Sequence, residues 1–253
     1  MTRVKDIYDY INEIAPFCLQ ESYDNSGMCI GSEDYSVDKV LLALDCTSET
    51  AKEAFKKGCQ LIVTHHPVIF HALKKIDLNS VVGFLAASEI SVISAHTNFD
   101  SAKMNDILCE KLGLKPCEPL AVENGVPVGY ICETEKEFTS KEIAANAKEK
   151  LGCKVVRYND TGKSINRIAV CSGSGGSFLQ NALEKKCGGF ITGDVKHDVF
   201  IDAHNAGLCV FDAGHFHTEI IFCGYMQKAL SEKFPDVEFI IGDNSVDILS
   251  YEI

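Results

Sequence analysis

Residues 40–66, VLLALDCTSETAKEAFKKGCQLIVTHH, align without a gap against residues 168–194, IAVCSGSGGSFLQNALEKKCGGFITGD, at a constant offset of 128 positions. In that register Ala54 meets Ala182, Lys57 meets Lys185, Cys59 meets Cys187 and Thr64 meets Thr192. Each copy reads as a strand of β-branched or small apolar residues, a loop of Ser, Thr or Gly, an amphipathic helix, and a second short strand ending in Thr. That is a β-α-β unit, present twice. Any two β-α-β units share some pattern, but the ungapped register favours a duplication.

The likeness continues less tidily, since SVISAH at 91–96 and LCVFDAGH at 208–215 are each a short apolar strand running into a histidine. Periodicity predicts further helices at 4–14, 81–88, 105–112, 141–151 and 218–231, and strands near 128–132, 153–157 and 237–241. Alternating strands and helices imply an α/β fold with a mixed or largely parallel sheet in each half. The polar patch CEPLAVENGVPVG at 117–129 is the best boundary. The expected organisation is a first α/β lobe of residues 1–124 and 208–253, with a second, related lobe of residues 125–207 inserted in it.

Composition narrows the class. A chain of 253 residues with 46% hydrophobic and 24% charged residues is long enough for a substantial core. Its apolar runs, such as 40–44, stop well short of the roughly 20 residues a membrane span needs. The N-terminus alternates charge with apolar residues at helical spacing, unlike a secretion signal, so the expected compartment is the cytoplasm. Twelve cysteines lie scattered with no C-x-x-C pair, as expected of thiols in a reducing compartment. The formal charge of −12 argues against a protein that coats nucleic acid, because phosphate binding rests on Lys and Arg.

The eight histidines fall in two windows, 65–96 and 197–217, and four of them stand just past the end of an expected strand. Ligands of α/β sheets bind at the carboxyl ends of strands, where loops converge. His65 and His66 leave a strand as neighbours, and side chains alternate along a strand, so the pair suits two adjacent ions better than one. HTNFD adds His96 and Asp100, and a carboxylate can bridge two cations. GHFHTE adds His215 and Glu219, which share a helical face at i, i+4 if a helix begins near Phe216. The expected metal ligands are therefore His65, His66, Asp100, His215 and Glu219, most of them on the first lobe. Donors of this kind without thiolate suit two divalent ions drawn from Zn, Fe, Mn, Co or Ni. His71, His204 and His217 read more simply as polar core or capping residues. Asp100 has an alternative as a helix N-cap, and Glu219 as first-turn charge.

HHPVIF at 65–70, HTNFD at 96–100, TGDVKHD at 192–198 and DAGHFHTE at 212–219, preceded by ESYDNSG at 21–27, occur in that order. The chain resembles the Nif-three-like family of dinuclear metal proteins, whose bacterial members are labelled GTP cyclohydrolase I type 2 homologues. The resemblance implies a two-lobed α/β subunit, a homohexameric ring and a two-metal site with ligands at the five positions named above. The additional inserted domain of longer members has no room here. Two positions depart from the family pattern: Tyr23 replaces the usual Trp, and His217 stands where a small residue is common.

The function expected from these readings is metal-dependent hydrolysis of a nucleotide-like or other cyclic C–N compound. Metals lower the pKa of a bound water towards about 7, and His96 or His197 are the candidates for proton transfer. The family label would place the attack on the imidazole-ring carbon of GTP. Two other classes stay open, a metal carrier and a protein-interaction scaffold stabilised by metal. A Gly-rich turn, CSGSGG at 171–176, offers backbone N–H groups to a phosphate, but it lacks the Lys-Ser/Thr ending of a P-loop and reads more simply as a tight strand-to-helix turn.

Overall fold

The computed structural model describes residues 1–123 and 125–252. Positions 124 and 253, which close two of the sequence-defined lobe segments, lie outside the described residues. The chain divides into two compact units, unit 1 being Met1–Lys103 with Phe222–Val246, and unit 2 being Met104–Ile221 with the C-terminal residues from Asp247. Unit 2 is thus inserted in unit 1 along the chain, and it includes both the 104–123 and the 208–221 stretches.

The strands of unit 1 are β1 (Gly27–Ile30), β2 (Lys39–Ala43), β3 (Leu61–Thr64) and β4 (Ser91–Ser94). Unit 2 holds β5 (Pro116–Glu123), β6 (Val126–Phe138), β7 (Arg157–Tyr158), β8 (Ile165–Val170), β9 (Gly189–Thr192) and β10 (Cys209–Asp212), and β11 (Glu238–Ile241) returns to unit 1. The helices are α1 (Val4–Ile14), α2 (Ser48–Lys57), α3 (Val81–Ala87), α4 (Thr97–Phe99) and α5 (Asn105–Leu112). They continue as α6 (Ser140–Leu151), α7 (Leu179–Glu184), α8 (His197–Ala206), α9 (His215–Glu219) and α10 (Ile221–Lys233).

Unit 1 is built on a five-stranded sheet in the order β1-β4-β3-β2-β11, parallel except for β1. Unit 2 has a six-stranded sheet in the order β5-β6-β8-β9-β10-β7, with a parallel β8-β9-β10 centre and antiparallel flanks. Both sheets are mixed, as the sequence pattern implies. The two copies of the repeat keep the same strand register. Val40 pairs with Leu61 and Leu42 with Val63, and, 128 positions on, Ile168 pairs with Gly189 and Val170 with Ile191. Even the helix exits correspond, for Gly58 ends α2 at φ 70° and Lys186, its counterpart after α7, takes φ 56°. A left-handed residue at this point is normally Gly, so Lys186 holds a conformation that its own side chain does not favour.

Why the strands read as continuous apolar runs follows from their burial. Val40, Leu41, Leu42 and Ala43 are all fully buried, because both faces of the sheet are covered. In unit 2 alternate residues feed opposite faces: Ile168, Val170 and Phe211 join one core, Ala169, Phe190 and Val210 the other. Each large side chain buried in this way contributes about 1.5–3 kcal/mol. At the start of α2 the Thr47 hydroxyl accepts from Thr50 N at 3.1 Å, and Thr139 and Glu142 form a reciprocal cap on α6.

Three local expectations differ from the structure. The 117–129 patch falls in a hairpin, β5 pairing antiparallel with β6 down to Glu123 and Val126. Prolines and acidic residues mask its alternation, and an edge strand such as β5 tolerates both. The strand expected at 153–157 shrinks to Arg157–Tyr158, since Cys153 turns into the core instead. The helix expected over 218–231 starts earlier, at His215, and breaks at Ile220 into α9 and α10. No helix among the described residues is long and apolar enough to cross a membrane.

Candidate metal centre

In unit 1, β3 delivers His65 and His66 at its carboxyl end and β4 delivers His96 two residues past its own. The three imidazoles gather: ring centroids lie 4.9 Å apart for His65 and His66, 5.2 Å for His65 and His96, and 5.4 Å for His66 and His96. One ring nitrogen from each falls within 4.8 Å of the others, a spacing a metal ion can span. Strand alternation would send His65 and His66 to opposite sides. The chain bends directly after Thr64, whose hydroxyl donates to the His66 carbonyl at 2.8 Å, and this brings both rings to one side.

Each imidazole is held from behind. His65, fully buried, has Nδ1 2.8 Å from the Ala95 carbonyl. A carbonyl only accepts, so Nδ1 carries the proton and Nε2 is the basic nitrogen. His66 Nδ1 lies 2.8 Å from Asp45 Oδ1, and His96 Nδ1 lies 2.8 Å from Asp24 Oδ1. Asp24 has no exposed side-chain surface and also accepts from Thr97 N, Thr97 Oγ1 and Ser26 Oγ. Burial alone would raise its pKa, but the hydrogen bonds from His96, Thr97 and Ser26 outweigh burial and hold the carboxyl well below the usual range. Asp100 opens a π-helical stretch, Asp100–Met104, with Oδ1 3.5 Å from His65 Nε2. It closes α4 as the C-cap, while the N-cap position of the following α5 falls to Met104, and short π-helical stretches are frequent at functional sites.

In unit 2, α9 begins at His215 after Gly214, whose φ of 85° turns the chain out of β10. His215 Nδ1 lies 2.8 Å from Asp194 Oδ2, and its Nε2 lies 2.8 Å from Oε2 of the buried Glu219 one turn on. Burial lowers the His215 pKa, but the hydrogen bond and charge of Glu219, then those of Asp194, outweigh it and raise it to about 9. The backbone makes room for this pair. A Cβ on Gly173, at φ 58°, would lie 2.2 Å from Glu219 Oε1, and one on Gly193 would lie 2.6 Å from His215 N. Asp212 ties the two turns together, accepting from Gly214 N at 3.0 Å and Val195 N at 3.1 Å while Arg157 pairs with it.

The remaining candidates separate. His217 stands 3.3 Å from Asp247 Oδ2 and faces that carboxylate, while His197 is exposed at the start of α8. Three amides of the CSGSGG turn are taken by side chains around it, Ser172 N by Asn105 Oδ1, Gly173 N by Thr218 Oγ1 and Gly175 N by Thr192 Oγ1. Asp24, Asp45 and Asp194, each 2.8 Å from a histidine Nδ1, are the residues of this arrangement that residue-by-residue reading missed. Asp24 and Asp194 sit inside quoted motifs, and Asp45 follows β2, but only the fold pairs each with its histidine.

A family model described as Duf34/NIF3 (NGG1p interacting factor 3) matches residues 2–247. The chain is 34% identical over 260 residues to a GTP cyclohydrolase 1 type 2 homolog of Clostridium acetobutylicum, covering 97% of each chain. It is 36% identical over 256 residues to the homolog of the same name from Clostridium perfringens, covering 97% of this chain and 98% of that one. Among solved structures, a hypothetical protein of Staphylococcus aureus superposes with a TM-score of 0.91 at 26% identity, covering 99% of both chains.

Proposed function

The chain belongs to the Duf34/NIF3 family, and on that premise we propose that it binds two divalent metal ions through His65, His66, Asp100, His215 and Glu219 and hydrolyses a nucleotide-like or other cyclic C–N compound. The observation that carries the reading is the common support behind the imidazoles. His65, His66 and His215 each have Nδ1 2.8 Å from a backbone carbonyl or an aspartate, the arrangement that orients a metal-ligating histidine and raises its basicity. The donors are imidazole and carboxylate throughout, which fits Zn, Fe, Mn, Co or Ni.

A divalent ion supplies Lewis acidity and lowers the pKa of water. The protein's own groups do the rest. Asp45, Asp194 and the Ala95 carbonyl fix the ring planes and the tautomers. Buried Glu219 contributes negative charge that offsets the cation. His96, held by Asp24 beside His65 and His66, is the first candidate for proton transfer, and His197, exposed at the start of α8, is the second. The relatives' name, GTP cyclohydrolase 1 type 2 homolog, makes GTP the first substrate to assay.

One observation favours a second reading, a carrier that passes ions on: the side chains of His66 and His215 are 24% and 31% exposed, within reach of solvent. The deciding experiment is metal analysis of freshly purified protein followed by a nucleotide panel. Hydrolysis that requires the metal and is lost in His65→Ala supports the enzyme. No turnover with any of the five metals, together with rapid transfer of the ion to an acceptor, overturns it in favour of the carrier. A homohexamer, as the resemblance implies, is expected by light scattering.

A further inference from the structure

Two large aromatic side chains stand in the open beside the histidine group of unit 1. Tyr23 is 64% exposed and Phe70 is 39% exposed. Their ring centroids lie 6.4 Å apart with the planes inclined at 49°, and the Phe70 ring is 6.2 Å from that of His96. Neither aromatic hangs on a loose loop. Asp24, next to Tyr23, is the buried carboxylate that holds His96, and Glu21 N donates to Thr97 Oγ1 at 2.9 Å. On the other side, the Asn25 side chain donates to the Ile69 carbonyl at 2.6 Å, next to Phe70. The segments that carry the two rings are thus tied to each other and to the residue that orients His96. An exposed aromatic held rigidly loses little conformational entropy when something stacks on it, the property that makes such residues effective binding platforms.

We propose that Tyr23 and Phe70 form a stacking platform for a planar heteroaromatic ring, which they present edge-on towards His96 and the neighbouring His65 and His66. The ring faces supply dispersion and quadrupole attraction that any flat heterocycle satisfies. The polar edge of such a ring carries the nitrogens and carbonyls that imidazole groups recognise. A compound without a flat ring gains nothing from the platform. The proposal deepens the hydrolase reading above and rests on it only for the placing of the ring beside metal donors.

The test is calorimetric titration of the metal-loaded protein with inosine, cytidine and pterin, each against ribose as the ring-free control. At least one ring compound binds and ribose does not. Tyr23→Leu and Phe70→Leu each weaken that binding by roughly tenfold or more, the scale of one lost aromatic stack, while Tyr23→Trp matches or exceeds the parent and metal content is unchanged in all three. Ring binding that follows this pattern in protein without hydrolytic turnover leaves the platform standing and removes only the hydrolase reading. The platform itself is overturned if no ring compound binds up to millimolar concentration, if ribose binds equally, or if the leucine variants bind as the parent does. It is equally overturned if those variants lose self-association with ring affinity intact, which would make the aromatics a contact between copies.

Discussion

Asp194 Oδ2 lies 2.8 Å from His215 Nδ1, and Asp194 reaches it from a left-handed backbone, φ 52°, that few residues other than Gly adopt. The strain sits in a turn where Gly193 allows the His215 amide to approach and where Val195 N is bonded to Asp212. A short polar residue such as Asp tolerates that conformation better than most. The carboxylate therefore serves His215 from a position that the surrounding turn enforces.

Asp194→Asn retains the fold and weakens metal binding by about 10- to 100-fold, the usual cost of losing a carboxylate behind a ligating histidine. Competition against a chromophoric chelator measures it. An unchanged affinity would mean that Asp194 is a turn residue and nothing more.

Gly173→Ala sets a methyl group where Glu219 Oε1 now lies and asks an L-residue to hold φ 58°. The backbone term alone costs about 1 kcal/mol, and Glu219 must shift. The expected outcome is a modest drop in melting temperature with a larger loss of bound metal. Atomic absorption and thermal melting on the same sample separate the two effects, and full metal content in the variant would refute the cradle.

Removing metal with a chelator lowers the melting temperature, and adding back the native ion restores it, because an ion that binds only the folded chain stabilises it by mass action. His65→Ala and Glu219→Gln show little further response to chelator. A parent protein whose melting curve ignores both chelator and added metal contradicts the ligand assignment.

Acid stability depends on Glu53. This buried carboxylate accepts from Lys57 Nζ, Asp243 N and Asn244 N. Burial raises its pKa, but these bonds outweigh burial and lower it to about 2 from 4.5. The folded pKa lies below the unfolded one, so the stabilisation is fully present above about pH 4.5 and fades as pH falls towards 2. Glu53→Gln costs about 1–3 kcal/mol at neutral pH and flattens the melting profile across that acidic window. A parallel loss in parent and variant between pH 5 and 2, followed by urea titration, would rule Glu53 out.

Much of the frame was legible in the residues. The 128-residue offset anticipated two β-α-β copies, and both occur with a conserved strand register. The placing of His65, His66, His96 and His215 just past strand ends was legible too, because apolar runs stopping at a histidine mark the carboxyl edge of a buried sheet. What escaped was information that only three dimensions hold. That Asp45 backs His66 and Asp24 backs His96 depends on residues 21 and 72 positions apart in the chain being brought together by the sheet. The 116–138 hairpin escaped because charged and proline residues on an edge strand hide the alternation that reveals a central one. The bend after Thr64 overrode the strand rule that would have parted His65 from His66.

The shared register has one more consequence. His66, 128 positions before Asp194, occupies the same address, two residues past the end of the second strand of its β-α-β copy. The turn of one repeat carries an imidazole backed by an aspartate, and the turn of the other carries an aspartate that backs an imidazole. The twin halves have thus become chemical opposites at a matched site, and neither can stand in for the other. Symmetric as their strands are, a tandem of two identical first halves would inherit the scaffold and lose the division of labour.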